Sequence, residues 1–209
     1  MLFGRVISVG IGYLCGMFLS GFLYGKKENV DLRKVGSGNV GTTNTMRNLG
    51  VKAGILTLIG DVCKVFMAMV IVWLIFRNRY PDSVKVLELY AGVGCILGHD
   101  FPAYMKFKGG KGIAVSFGSL LGLIPMWYPV LSLAGCFLFF SLVIQISPNF
   151  YRTVAVYIVN WLIIVFSETN LPKAVHIGVG LISLLILLKM HMSQEEREKM
   201  TFQLLWIKR

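Results

Sequence analysis

Polar and apolar positions along the chain fall into long blocks rather than into alternation. Apolar runs cover residues 6–25, 53–76, 86–98, 113–124, 126–146, 153–166 and 174–188. The first, second and fifth hold 20, 24 and 21 residues, enough to cross a hydrocarbon core of about 30 Å as helices. The other four hold 12 to 15 residues. They must borrow flanking residues, thin the bilayer, or dip in and return. The pattern predicts an all-α polytopic membrane protein with about seven transmembrane helices. Five spans, with 86–98 and 113–124 as a re-entrant pair, is the alternative. No stretch alternates in the manner of barrel strands. Without internal repeats or low-complexity linkers, residues 1–209 are expected to form a single membrane domain.

Composition strengthens this picture. Hydrophobic residues make up 56% of the chain, charged residues 15%, and the mean hydropathy is +0.70; a soluble domain carries about 25% charged residues. Residues 6–25 lack a small-x-small cleavage site, so a retained span is expected there rather than a signal peptide. The cations are informative loop by loop. Lys and Arg gather in 26–52, 106–111, at Arg152 and from Lys189 onward, against only Arg5, Arg77, Arg79, Lys85 and Lys173 on the opposite side. The excess marks the cytoplasmic side. The expected placement is a multi-pass protein of a bacterial inner membrane, with the N-terminus outside and the tail inside.

The net charge of +11 is spread over short loops between apolar runs. That fits lipid headgroups or an anionic substrate, and it excludes nucleic acid as the expected partner. Cys15, Cys63, Cys95 and Cys136 all lie in apolar runs without C-x-x-C spacing. They read as small core residues, with no metal site. The pairs Gly12/Gly16, Gly21/Gly25, Gly94/Gly98 and Gly118/Gly122 let helix backbones approach closely in lipid. Packing within one chain is the expectation, with the protein a monomer.

Two inner loops carry the candidate chemistry. The first, KVGSGNVGTTNTMRNLG, places Gly36, Gly38 and Gly41 at G-x-G-x-x-G spacing. A dinucleotide fold needs a strand before that motif, and a P-loop needs a lysine where Thr42 stands. What remains is the shared physics: glycines let backbone N–H groups converge on an anion. Ser37, Thr42 and Thr43 add hydroxyls, Asn39 and Asn44 add amides, and Arg47 adds a fork suited to phosphate. The second loop, LGHDFPAYMKFKGGKGIA, sets Lys106, Lys108 and Lys111 among Gly109, Gly110 and Gly112. Lys106 serves equally as a topology signal. Lys111 precedes a helix whose N-terminal N–H groups suit an anion. His99 can act as a general base or as a structural donor. His176 reads as structural, and His191 as able to meet a ligand. Asp61 and Lys64, spaced i, i+3 in one run, share a helix face. An internal ion pair is preferred there over a proton relay.

Both loops resemble motifs of the bacterial membrane glycerol-3-phosphate acyltransferases that use acyl-phosphate as donor. Gly36-Ser37-Gly38-Asn39-Val40-Gly41-Thr42-Thr43-Asn44-Thr45-Met46-Arg47 is similar to that family's first motif, with Thr42 in place of alanine. Gly98-His99-Asp100-Phe101-Pro102 and Lys106-Phe107-Lys108-Gly109-Gly110-Lys111-Gly112-Ile113-Ala114-Val115 resemble its second. The resemblance implies transfer of an acyl group from acyl-phosphate to glycerol 3-phosphate, giving lysophosphatidic acid and phosphate, without metal, cofactor or coenzyme A thioester. It implies catalytic roles for Ser37, Arg47, His99 and Lys111. Substrate would be held by Gly36, Gly38, Asn39, Gly41, Thr43, Asn44, Lys106, Lys108, Gly109, Gly110 and Gly112, with Ser147 and His191 from the C-terminal half. That half departs from the family pattern: Pro148 and Asn149 follow Ser147, and the tail lacks the expected asparagine and second arginine. The alternatives are a transporter of a phosphorylated solute and an inactive relative of the acyltransferases.

Overall fold

The computed structural model describes residues 1–167, 171–193 and 200–204. Among these the chain is helical: α1 (Leu2–Gly16), α2 (Ser20–Lys27), α3 (Thr42–Leu49), α4 (Val51–Phe76), α5 (Val84–Asp100), α6 (Ile113–Leu121), α7 (Tyr128–Leu138), α8 (Asn149–Phe166) and α9 (Lys173–Met192). Among the described residues, four stretches are long and apolar enough to cross a membrane: Leu2–Lys27, Val51–Phe76, Asn149–Phe166 and Lys173–Met192. The last two reach 18 and 20 residues by drawing in polar flanks such as Asn149 and Lys173. Helix α6 has 9 residues, a rise of about 14 Å, under half the hydrocarbon thickness. The tail stretches 194–199 and 205–209, with part of the positive charge counted toward the cytoplasmic side, lie outside the described residues.

Two apolar runs are not continuous helices. The first breaks between Gly16 and Ser20, so α1 and α2 are separate. The fifth ends at Leu138, passes through a π-helical turn at Phe139–Val143, and becomes strand β1 (Ile144–Ser147). This strand pairs antiparallel with β2 (Thr201–Leu204), Ser147 opposite Thr201. The four residues Ile-Gln-Ile-Ser do alternate, but over a length too short to stand out from an apolar run.

The chain divides into two compact units, Met1–Ile124 and Pro125–Arg209. In the first, small residues set the helix spacing. A Cβ on Gly12 or Gly16 of α1 would strike the backbone of Ala91 or Cys95 on α5, and one on Gly94 or Gly98 would strike Val9 or Tyr13 on α1. The two Gly-x-x-x-Gly pairs therefore face each other within one chain, where dispersion between close backbones replaces the hydrophobic drive that lipid removes. Gly118 of α6 and Gly122 just after it lie against the side chains of Val65 and Met69 on α4. Helix hydroxyls bond back one turn, Ser8 to the Gly4 carbonyl and Thr57 to the Ala53 carbonyl, both at 2.8 Å. This satisfies them where no water is available. Leu58, Ile59, Val70 and Leu74 are exposed on α4, as suits a helix surrounded by hydrocarbon.

A small apolar cluster gathers the connecting segments. Leu19 from the α1–α2 break, Leu32 and Val40 from the first loop and Met105 from the second are buried together. The Tyr13 hydroxyl donates to the Phe101 carbonyl and the Tyr104 hydroxyl to the Met17 carbonyl, each at 2.9 Å. The second glycine-rich loop is thereby fastened to the end of α1. In the second unit, the Ser132 hydroxyl donates to Asn160 Oδ1 at 2.8 Å, and Phe137 and Tyr157 meet edge to face.

Candidate active site

The first loop is built around one amide. Asn44, buried on α3, donates from Nδ2 to the carbonyls of Leu32, Val35 and Asn39 at 3.0, 3.1 and 2.8 Å. Its Oδ1 accepts from the Ser37 N–H and from Asn48 Nδ2, both at 3.0 Å. Gly36 and Gly38 take left-handed backbone at φ +56° and +67°, which side chains with a Cβ rarely adopt. Asp31 closes the loop's outer end on Arg33. The Arg33 guanidinium holds the Asp31 carboxyl down at about 2.

The second loop doubles back onto the end of α5. The Gly109 N–H donates to the Asp100 carbonyl at 3.1 Å and the Gly110 N–H to the His99 carbonyl at 3.0 Å. A Cβ on Gly109 would strike the His99 carbonyl, and one on Gly110 would strike the imidazole Nε2. Lys106 and Phe107 are left-handed at φ 54° and 61°. They are held there by N–H bonds to the Ala103 and Pro102 carbonyls, both at 3.1 Å. Gly112, at φ 66°, starts α6.

The two loops enclose a cavity of about 160 Å³, lined by Asn39, Gly41, Thr42, Thr43, Asp61, His99, Lys111, Gly112, Ile113 and Ala114. It lies at two helix starts at once. Thr42 and Thr43 open α3, and Ile113 and Ala114 open α6. The first N–H groups of a helix have no partner within it, and the helix dipole adds partial positive charge there. Two such ends beside one lysine make a place for anionic oxygens. The Thr42 hydroxyl and Asn39 Oδ1 are buried without hydrogen-bond partners among the described residues.

On the inner wall lies a buried ionic cluster. Lys64 Nζ is 2.9 Å from Asp61 Oδ1, 2.9 Å from the Phe18 carbonyl and 2.7 Å from His99 Nδ1. Asp61, Lys64 and His99 are each at most 3% exposed. The ion pair expected within α4 is present, and it reaches two further elements: it ties down the α1–α2 break and holds the imidazole. Asp61 also lines the cavity, with Lys64 balancing its charge.

Of the residues expected to form a site, Asn39, Gly41, Thr43, His99, Lys111 and Gly112 line this cavity. Gly36, Gly38 and Asn44 shape the first loop, and Gly109 and Gly110 seat the second. Ser37, Arg47, Lys106 and Lys108 are exposed and do not line the cavity. Ser147 ends β1, and His191 lies in the last turn of α9, both exposed in the second unit. The sequence reading counts Thr42 among the hydroxyl donors but leaves it out of the site residues, and takes Asp61 as half of an internal ion pair. The adjacency of Thr42 to the glycine that starts α3 was the signal for the first.

A family model described as glycerol-3-phosphate acyltransferase matches residues 6–199. A protein so named from Exiguobacterium sibiricum is 43% identical over 122 residues, 58% of this chain and 56% of its own length. One from Bacillus subtilis is 42% identical over 119 residues, 56% of this chain and 58% of its own. The matched stretch thus spans little more than half the length of these relatives. A crystal structure of PlsY, an integral membrane glycerol 3-phosphate acyltransferase in its glycerol 3-phosphate form, superposes with a TM-score of 0.70 at 30% identity, covering 90% of this chain and 88% of that one. Its lysophosphatidic acid form gives 0.67 at 28% identity, covering 88% and 87%.

Proposed function

The chain belongs to the glycerol-3-phosphate acyltransferase family, an all-α integral membrane family, and on that footing we propose that it transfers an acyl group from acyl-phosphate to glycerol 3-phosphate. The products are lysophosphatidic acid and inorganic phosphate. The observation that carries this reading is the cavity where the starts of α3 and α6 meet beside Lys111 and His99. Both substrates bring phosphoryl groups, and the chemistry needs donors from two directions.

In this reading the acceptor hydroxyl attacks the acyl carbon, a C–O bond forms, and the bond to the phosphate oxygen breaks with that oxygen keeping the electron pair. Acyl-phosphate already carries a good leaving group, so positioning and electrostatic stabilisation can supply most of the rate. Lys111 and the two helix starts hold phosphoryl oxygens inside the cavity. Ser37, Gly38, Asn39 and Arg47 meet one phosphate from the first loop, and Lys108 joins Lys111 at the other. The hydroxyl's proton leaves to His99 or to a phosphate oxygen, depending on which form of His99 the cavity holds. The acyl chain lies between helices. The protein works as a monomer in a bacterial inner membrane, with both cation-bearing loops on the cytosolic side.

Purified protein should make lysophosphatidic acid, seen by thin-layer chromatography, from acyl-phosphate and glycerol 3-phosphate but not from acyl-CoA. Lys111→Ala and Arg47→Ala should each abolish phosphate release while the protein remains monodisperse in detergent. Uptake of labelled glycerol 3-phosphate into sealed vesicles with no lipid product would replace the acyltransferase by a transporter.

A further inference from the structure

An ammonium group has three N–H donors and no acceptor. All three hydrogens of Lys64 have acceptors within hydrogen-bond distance: Asp61 Oδ1, the Phe18 carbonyl oxygen and His99 Nδ1. A carboxylate and a carbonyl can only accept from it, and together they favour the charged lysine. Charged Lys64 can meet Nδ1 at 2.7 Å only if that nitrogen offers its lone pair. A hydrogen on Nδ1 would leave two donors facing each other between side chains at most 3% exposed. Asp61 Oδ1 is 3.7 Å from the same nitrogen, too far to take an N–H from it.

From this geometry we infer that Lys64 is a positioning residue that fixes His99 as the neutral imidazole with its hydrogen on Nε2. The partner of one ring nitrogen sets the form of the other. In this form His99 presents an N–H donor, while its only lone pair is committed to Lys64. It does not serve as the base for the acceptor hydroxyl; it donates to an anionic oxygen. The charges around the ring agree. Lys64 and Asp61 face it from α4, Asp100 follows it on α5, and Lys111 shares its cavity. Tyr13 on α1 is engaged with the Phe101 carbonyl, and Cys95 with the Lys64 carbonyl at 3.7 Å. A donor His99 deepens the acyl-transfer reading and rests on it for its role, but the form of the ring can be read without turnover.

The measurement is a two-bond 1H–15N spectrum of histidine-labelled protein in detergent. His176 and His191 are replaced by glutamine, so that His99 alone reports among the three histidines. Nδ1 should resonate in the unprotonated range and Nε2 in the protonated range, unchanged from about pH 5 to 8, the interval in which an ordinary histidine titrates. Lys64→Met should release the ring. Asp61 then faces Nδ1 alone, and the spectrum should show a protonated Nδ1 and a titration inside that interval, whereas Lys64→Arg should restore the neutral form in part. A wild-type ring protonated on both nitrogens at neutral pH, or carrying its hydrogen on Nδ1, overturns the inference even if Lys64→Met fails to fold. Absence of lysophosphatidic acid from the unsubstituted protein, with the expected spectrum, would count against the acyl-transfer reading alone.

Discussion

In the loop before α3, Gly36 and Gly38 sit at φ +56° and +67°; in the loop before α6, Gly109 and Gly110 stay out of the left-handed region and are needed for space against His99. The same residue type thus answers two different demands. The first loop is a turn coiled around the Asn44 amide, and Gly36 and Gly38 supply its left-handed conformations. The second is a strap laid on the end of α5, where Gly109 and Gly110 supply contact and only Gly112, at the start of α6, is left-handed among its glycines. The difference teaches where each loop is vulnerable: the first at its hub, the second at its point of nearest approach to the imidazole.

Removing the hub should have the largest effect. Asn44→Ala strands the Ser37 N–H, takes from Asn48 Nδ2 one of its two acceptors, and takes the shared donor from three carbonyls. Each buried group left without a partner costs about 1–3 kcal/mol, so several together should unfold the loop and eliminate acyl transfer. A lowered thermal midpoint in detergent, together with proteolysis of the segment before α3, would register it. An Asn44→Ala protein with wild-type turnover would show that the loop does not depend on this amide.

The strap should fail differently. In Gly110→Ala the new methyl meets Nε2 of His99, so the ring or the loop must move. A misplacement of about 1 Å at a reacting centre can cost about a hundredfold in rate. The loss should fall mainly on kcat, with a smaller drop in thermal midpoint than in Asn44→Ala, because the α1–α5 contact through Gly12, Gly16, Gly94 and Gly98 is left intact. If both variants lost stability equally, the contrast between hub and strap would disappear.

Much of this was legible in the sequence because lipid makes strong demands on composition. The helical class, the two glycine-rich loops and the Gly-x-x-x-Gly contact between α1 and α5 each follow from local pattern, and the Asp61–Lys64 pair follows from i, i+3 spacing. The reach of that pair to His99, 35 residues away, was not legible, since it depends on how α4 and α5 pack. Nor could spacing separate an asparagine that holds its own loop, Asn44, from one that lines the cavity, Asn39; both are amides among glycines. The early end of the fifth apolar run at Leu138 was hidden for a related reason. Isoleucines in a four-residue strand look the same as isoleucines in a membrane helix.

Thr42 offers the smallest effect and the finest test of how the cavity is used. Its hydroxyl is buried at the start of α3 with no hydrogen-bond partner among the described residues. In the empty protein that is a cost, so Thr42→Ala should leave the thermal midpoint unchanged or slightly raised, since deleting an unpartnered polar group can be neutral or stabilising. In the loaded protein the hydroxyl has a use: it can donate to a phosphoryl oxygen held by the helix N-termini. A hydrogen bond to a charged group is worth about 1.5–3 kcal/mol, and part of that is recovered when water enters the space the methyl leaves. The expected result is a KM for glycerol 3-phosphate or acyl-phosphate raised about tenfold at nearly constant kcat, the pattern of an interaction made equally in ground and transition states. Steady-state kinetics with each substrate varied in turn would show which phosphate Thr42 meets. Unchanged KM for both would place the phosphoryl groups elsewhere in the cavity, nearer Lys111 and the start of α6.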